Sequence, residues 1–119
     1  MQSLSMPSLS GYHPPMRPDL LRGHLDGLLL AVLASGPGHG YELSRRLTQR
    51  SGGELGVQEG SLYPALHRLE GAGLVRSAWS SGEGRRRRVY SLTAAGRRAV
   101  GESRREWRAF STAVERVLA

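Results

Sequence analysis

Glu59-Gly60-Ser61-Leu62-Tyr63-Pro64-Ala65-Leu66-His67-Arg68-Leu69-Glu70, followed by Gly71-Ala72-Gly73, is the stretch on which the fold turns. Leu62, Leu66 and Leu69 recur at i, i+4 and i+7, one apolar stripe of an α-helix. Ser61 is placed to cap that helix, since its hydroxyl can accept from an amide of the first turn. Pro64 then falls in the first turn, where its missing N–H costs no hydrogen bond. Gly71 and Gly73 mark the far end, because a left-handed capping residue is cheapest as glycine. Ser61, Tyr63, His67 and Arg68 lie off the leucine stripe and so face away from the core.

Working outward, Leu21, Leu25, Leu28, Leu29 and Val32 form an earlier helical stripe that ends at Ser35-Gly36-Pro37-Gly38. Gly27 within it costs about 1 kcal/mol against Ala, which implies close approach of another helix. A short helix from Gly40 to Arg50 is expected to bury Tyr41, Leu43 and Leu47 and to show Arg45, Arg46 and Arg50 to solvent. Gly36-Pro37-Gly38-His39-Gly40 reads as a turn between these two helices. Downstream the period shortens: Val75, Ser77 and Trp79 share one face of a strand, and Tyr90 and Leu92 one face of another. Ser80-Ser81-Gly82-Glu83-Gly84 joins them as a hairpin. Thr93 caps a last helix running to about Leu118, in which Val100, Trp107 and Val114 repeat every seven residues with Phe110 and Val117 between them. A helix of that length spans about 38 Å, more than so small a core can cover, so its apolar seam calls for a second chain. The fold class expected is mainly α with a small β-hairpin: a winged helix-turn-helix plus a long C-terminal dimerisation helix. Residues 1–18, rich in Ser, Pro and Met, read as a disordered tail, 19–92 as the winged helix-turn-helix domain and 93–119 as the dimerisation helix.

Charge narrows the function. All seventeen basic residues among 119 are Arg, against ten acidic ones, for a net charge of +7. Such an excess suits a polyanionic partner, and the guanidinium fork pairs two-pronged with phosphate or guanine. A high-GC genome also enriches Arg, Gly and Ala, and accounts equally well for the missing Lys. Cys is absent, which excludes disulfides, thiol catalysis and thiolate metal sites. The apolar run from Leu28 to Ala34 is far short of a membrane span, and a cytoplasmic protein is expected. His13, His24, His39 and His67 lack metal-ligand spacing, and no glycine-rich loop follows a strand to open a helix over phosphates. No enzyme activity, metal or cofactor is therefore expected.

Arg85, Arg86, Arg87 and Arg88 form an unbroken run beside the expected hairpin tip. In an extended strand alternate members face opposite ways, so they can serve two different phosphates or a groove; a solvated, edge-protecting run is the competing account. At this point several motifs meet. Gly38-His39-Gly40-Tyr41-Glu42-Leu43, the Glu59–Glu70 stretch, Gly73-Leu74-Val75, Trp79 and Arg86-Arg87-Arg88-Val89-Tyr90-Ser91-Leu92-Thr93-Ala94-Ala95-Gly96 together resemble the PadR-like family. The likeness reaches from Leu20 to the C-terminus. The Met1 to Pro15 extension and Gln58, where a better capping Ser or Thr often stands, depart from it.

The resemblance implies a homodimeric regulator, usually a repressor, that binds an inverted repeat in double-stranded DNA and often releases it when a small aromatic or hydrophobic effector binds. It is similar to the compact subfamily whose single last helix packs on the partner's first helix. Candidate DNA contacts are Ser61, Tyr63, His67, Arg68, Arg85, Arg86, Arg87, Arg88 and Tyr41. Arg68 either grips a guanine edge or pairs with a carboxylate such as Glu70 or Glu42. Tyr63 either meets a phosphate or packs on the hairpin, His67 either donates to DNA or is solvated, and Tyr41 is core with its hydroxyl toward a phosphate. Candidates for the dimer face or effector pocket are Leu21, Leu25, Val100, Trp107, Phe110 and Val114. Trp107 is either interface core or the lid of a planar ligand. The alternative function is a winged-helix protein-interaction module, or a sensor of a small anionic ligand, that uses the arginine-rich face.

Overall fold

A computed structural model describes residues 23–82 and 86–119. The elements, in chain order, are α1 (Leu25–Leu33), β1 (Gly38–His39), α2 (Gly40–Arg50), α3 (Glu59–Gly71), β2 (Val75–Ser80), β3 (Arg87–Leu92) and α4 (Ala94–Leu118). The expected tail, Leu21 and Arg85 lie outside the described residues.

The leucine stripes converge as their spacing requires. Leu25, Leu29, Leu30, Val32 and Leu33 of α1 meet Leu43 and Leu47 of α2 and Leu62, Ala65, Leu66 and Leu69 of α3, and Val75, Tyr90, Leu92 and Val100 close the core. Leu29, Leu43, Leu62 and Leu66 are the largest side chains shut off completely from solvent. Truncating one such leucine costs about 2–5 kcal/mol, so these residues set the stability of the helix-turn-helix. Gly27 has the packing reason its position implied: a Cβ there would lie 3.2 Å from the Ser103 hydroxyl of α4.

Four local expectations are corrected. The segment 36–40 is not only a turn, because Gly38 and His39 pair antiparallel with Tyr90 and Val89, giving a three-stranded sheet of order β1-β3-β2. Two residues are too few to show a strand period. Helix α3 starts at Glu59, not after Ser61: extended Gln58 is its N-cap, and the Gln58 carbonyl accepts from both the Ser61 and Leu62 amides at 2.9 Å. Pro64 therefore lies inside the helix. The carbonyl of Gly60, four residues earlier, has no N–H to meet, and because Gly60 is exposed water can satisfy it. Tyr41 is not core but 65% exposed. Arg46, expected in solvent, folds back and donates to the carbonyls of Gly36 and Pro37 at 2.8 Å, tying the α1–α2 connection to α2, and Arg50 reaches the Ala31 carbonyl.

The end of α3 is a Schellman motif: Leu74 N–H donates to the Leu69 carbonyl and Gly73 N–H to the Glu70 carbonyl, with Gly73 at φ 78°. That turn launches β2, which pairs with β3 from Val75 opposite Leu92 to Ser80 opposite Arg87. Thr93 accepts from the Gly96 amide and donates to the Gly73 carbonyl at 2.7 Å, so one residue both caps α4 and fixes it against the end of α3. The chemistry of the hairpin is thereby held at a set distance from α3.

Candidate nucleic-acid interface

The start of α2, the outer side of α3 and the β2–β3 hairpin converge on an open cavity of about 650 Å³, lined by His39, Gly40, Tyr41, Tyr63, Trp79, Tyr90 and three consecutive arginines, Arg86 to Arg88. Each wall has its own construction.

On the α2 side, His39 is the N-cap in a capping box. Its amide donates to a Glu42 carboxylate oxygen at 3.0 Å, and the Glu42 amide approaches the imidazole Nδ1 at 3.4 Å. Arg87 Nη1 meets His39 Nε2 at 2.8 Å. A guanidinium only donates, so Nε2 accepts and the proton of the neutral ring sits on Nδ1. With the proton there, Nδ1 cannot also accept from the Glu42 amide 3.4 Å away, so while Arg87 is bonded to Nε2 the box keeps only the His39 amide to Glu42 carboxylate bond. A cation from the hairpin thus reaches the positive end of α2, and the ring and Glu42 stand between the two charges. Gly40, the next residue, lies under the Tyr63 phenol: a Cβ there would run into the tyrosine ring. The tyrosine of α3 and the glycine of α2 are complementary.

On α3, buried and exposed residues separate as a helical wheel requires. Gly60, Pro64, His67 and Gly71 fill the middle of the exposed side, with Tyr63 flanking it toward the hairpin and Ser61 and Arg68 flanking it toward α1. The middle is sparsely furnished. His67 is its one polar side chain, so backbone there can approach a ligand closely. Arg68 takes the carboxylate partner that the sequence left open, but the partner is neither Glu70 nor Glu42: it bonds Asp26 of α1 at 2.8 Å, with both side chains about half exposed. A pair so solvated contributes no more than about 1 kcal/mol.

On the hairpin, the Arg86 and Arg88 guanidiniums stack over the Trp79 indole at 4.6 and 4.9 Å from its centre. Stacking on an exposed ring is worth about 0.5–1 kcal/mol. Trp79 is itself 55% exposed; it is a platform, not core. Arg88 Nε donates to Ser77 Oγ at 2.9 Å, and the Ser77 hydroxyl donates to Glu70 Oε2 at 2.8 Å. The Tyr90 phenol is held above its usual range, chiefly by burial, with Arg88 opposing the rise and Glu70 and Tyr63 adding to it. At neutral pH it is a neutral donor.

The structure thus brings Tyr41, Tyr63, Arg86, Arg87 and Arg88 to one cavity, puts Ser61, His67 and Arg68 on the adjoining side of α3, and leaves Arg85 outside the described residues. Five residues of this site escaped the sequence reading as site residues: Ser77, Glu70 as the carboxylate behind it, His39 as the partner of Arg87, Trp79 as the platform of two arginines, and Tyr90 in the cavity lining. The strand register, which sets Ser77 opposite Tyr90 and Trp79 opposite Arg88, brings Ser77 to Arg88, and Glu70 joins from α3 through the Ser77 hydroxyl. The ensemble offers guanidinium forks, phenol hydroxyls and an indole face, a set suited to phosphodiester and base edges. Among the described residues no group of three His, Cys, Asp or Glu side chains is placed to hold a metal ion.

The second candidate region divides in two. Leu25 and Val100 are buried in the chain's own core, whereas Trp107 and Phe110 on α4 are 53% and 56% exposed and Val114 is half-buried. His24 meets Trp107 edge-on at 5.4 Å, and Phe110 lies 5.9 Å beyond. After Val100 no residue of α4 is buried.

Three helices whose third is followed by a short antiparallel hairpin with basic residues at the start of its second strand make this a winged helix-turn-helix protein. Residues 29–102 match the model of the Transcriptional regulator PadR-like family. The chain belongs to that family of transcriptional regulators. It is similar to a transcriptional regulator from Clostridium thermocellum (TM-score 0.78, 28% identity, covering 85% of this chain and 99% of that one). A PadR family transcription regulator from Clostridium difficile is also similar, with a TM-score of 0.71 and 30% identity over 82% of this chain and all of the other. Transcriptional regulator Rv3488 of Mycobacterium tuberculosis is 46% identical over 67 residues, 56% of this chain and 60% of its own length. Among the described residues no helix is long and apolar enough to cross a membrane.

Proposed function

We propose that this regulator acts as a homodimer that binds an inverted-repeat operator in double-stranded DNA, most simply as a repressor. The observation that carries the reading is the cavity where Arg86, Arg87 and Arg88, Tyr41 and Tyr63 stand beside the sparsely furnished side of α3. Helix α3 enters the major groove, Tyr41 and the start of α2 meet one backbone, and the hairpin meets the flanking one. Charge neutralisation by the arginines supplies affinity, while His67, Ser61, Tyr63 and a released Arg68 supply discrimination.

The dimer reading rests on α4. Its exposed Trp107, Phe110, Val117 and Leu118 form an apolar seam that a second copy covers, and pairing of two such helices holds the two α3 helices about one DNA turn apart. A small aromatic or hydrophobic effector wedged beside Trp107 would change that spacing and weaken DNA binding by its differential affinity for the two dimer shapes.

The test is selection of bound fragments from the source organism's genomic DNA, followed by a salt titration on the winning site. The reading requires an enriched inverted repeat, a dimer on it, and at least about 10³-fold preference over unrelated DNA. Weak, uniform, salt-sensitive binding to all fragments would overturn it in favour of an acidic protein or small anion as partner.

A further inference from the structure

One acidic side chain stands among the cations of the interface without neutralising any of them directly. Glu70 lies one turn beyond His67, near the end of α3, and its carboxylate is spent on the hydroxyl of Ser77 in β2 at 2.8 Å. Because that hydroxyl has a single proton and gives it to Glu70, its lone pairs are left to face Arg88, whose Nε donates to it at 2.9 Å. The Arg88 guanidinium, held by its Nε, lies over the Trp79 indole at 4.9 Å, and the residue remains exposed. The chain of contacts runs from α3 through β2 to β3 and crosses the hairpin at the register pairs Ser77 with Tyr90 and Trp79 with Arg88.

A carboxylate so placed is a cost for any surface that meets a polyanion. It repels phosphate and reduces the net positive charge of the patch. A side chain that only diluted the charge would be better replaced by Gln. What Glu70 supplies is direction: an anionic acceptor orients the Ser77 proton far more firmly than a neutral one, and the hydroxyl passes that orientation to Arg88.

We propose that Glu70, acting through Ser77, is a positioning residue that locks Arg88 against Trp79 and makes α3 and the hairpin present their DNA contacts as one unit. The inference rests on the DNA-binding reading above. It assigns to the end of α3 a role in how the hairpin binds.

Ser77 provides the test, because replacing it changes no charge. With the enriched operator and with unrelated DNA of the same length, Ser77→Ala is expected to weaken operator binding about tenfold and to flatten the salt dependence by about 0.9 on the log–log plot, one phosphate contact. Ser77→Thr, which keeps a hydroxyl on a residue that suits a strand, is expected to restore both. Glu70→Ala is expected to weaken operator binding although it adds a unit of positive charge, and Glu70→Gln, which keeps an acceptor, to fall between it and wild type. In a Trp107→Phe background, where Trp79 is the sole indole, Ser77→Ala is expected to shift the emission of the free protein, independently of any DNA. Stronger binding of all DNA by Glu70→Ala, together with wild-type binding and emission in Ser77→Ala, would overturn the proposal: Glu70 would then be only a negative charge. Failure of wild type itself to prefer the operator would instead overturn the DNA-binding reading, and the emission result would still decide whether the lock exists. Thermal unfolding of each variant identifies any loss of folding, and the isosteric Glu70→Gln keeps the comparison available in that event.

Discussion

Replacing Trp107 by Ala tests the dimer at the largest exposed aromatic side chain of α4. The indole is 53% exposed in the isolated chain and, among the described residues, meets the aromatic rings of His24 and Phe110, so the core has little stake in it. A tryptophan presents up to about 250 Å², which leaves about 130 Å² for a partner to cover. If the partner covers half of that, burial at about 25 cal/mol per Å² gives about 1.5 kcal/mol per chain. A twofold axis counts each substitution twice, so the dimer loses about 3 kcal/mol, or about two decades in dissociation constant. Sedimentation equilibrium over a concentration series reads that constant directly, and circular dichroism and urea unfolding at concentrations where wild type is monomeric report the protomer. The expected pattern is a weaker dimer, an intact monomer, and operator binding that becomes steeply dependent on protein concentration. An unchanged dimer constant would remove Trp107 from the interface, and a monomer that unfolds would show that the indole serves the chain's own core.

Three further outcomes are expected. Converting Arg86 and Arg88 to Gln together is expected to reduce the slope of log affinity against log salt by about 1.8, equivalent to about a twelvefold difference in the loss between 50 and 200 mM salt; an unaltered slope on operator DNA would exclude the hairpin as a phosphate contact. Gly40→Ala should destabilise the fold by about 1–3 kcal/mol through its collision with the Tyr63 ring, and become neutral or stabilising in a Tyr63→Ala background, so additive effects in urea unfolding would contradict that packing. Burial raises the Tyr90 phenol above its ordinary value of 10.0, so the folded state keeps its proton after the unfolded chain has lost one. Its contribution is complete below pH 10 and lost as pH rises through the elevated value, and Tyr90→Phe should decline less steeply in stability above pH 10 than wild type, as urea titrations across the alkaline limb will show.

Much of the fold is legible because apolar spacing and capping act locally. The leucines of α3, the seven-residue repeat of α4 and the Thr93 cap each depend on neighbours within a turn or two, and the structure has them where the pattern says. The start of α3 was not legible in the same way. Ser61 is the better capping side chain, but its advantage of about 1 kcal/mol is outweighed by an extra turn that begins at Gln58 and carries Glu59 near the positive helix end. Tyr41 looked apolar by period and is exposed, since a phenol with a free hydroxyl on an eleven-residue helix can serve either side. Of the site, the arginine run and the outward residues of α3 were readable as composition on a face. The links that order them, Glu70 to Ser77 to Arg88 and His39 to Arg87, span 7 to 48 residues, and no local pattern encodes such a separation.

Those links bear on how so basic a surface can be held in readiness. Arg86 and Arg88 share one indole, each within 5 Å of its centre, so their charges lie no more than about 10 Å apart and repel by at least about 0.4 kcal/mol in water, a cost that physiological salt reduces. To this is added a conformational cost, because an arginine carries about 2 kcal/mol of rotamer entropy. Stacking on Trp79, the Ser77 acceptor and the His39 acceptor remove much of that freedom when the chain folds, so less remains to be lost when a phosphate backbone arrives. It follows that loosening the hairpin should weaken DNA binding more than it weakens the fold, and that operator DNA, binding only the folded dimer, should raise the unfolding temperature by an amount that shrinks as salt weakens the complex. If the fold were stabilised by salt and DNA alike, simple charge relief would account for both, and the ordering of these arginines would have no bearing on binding.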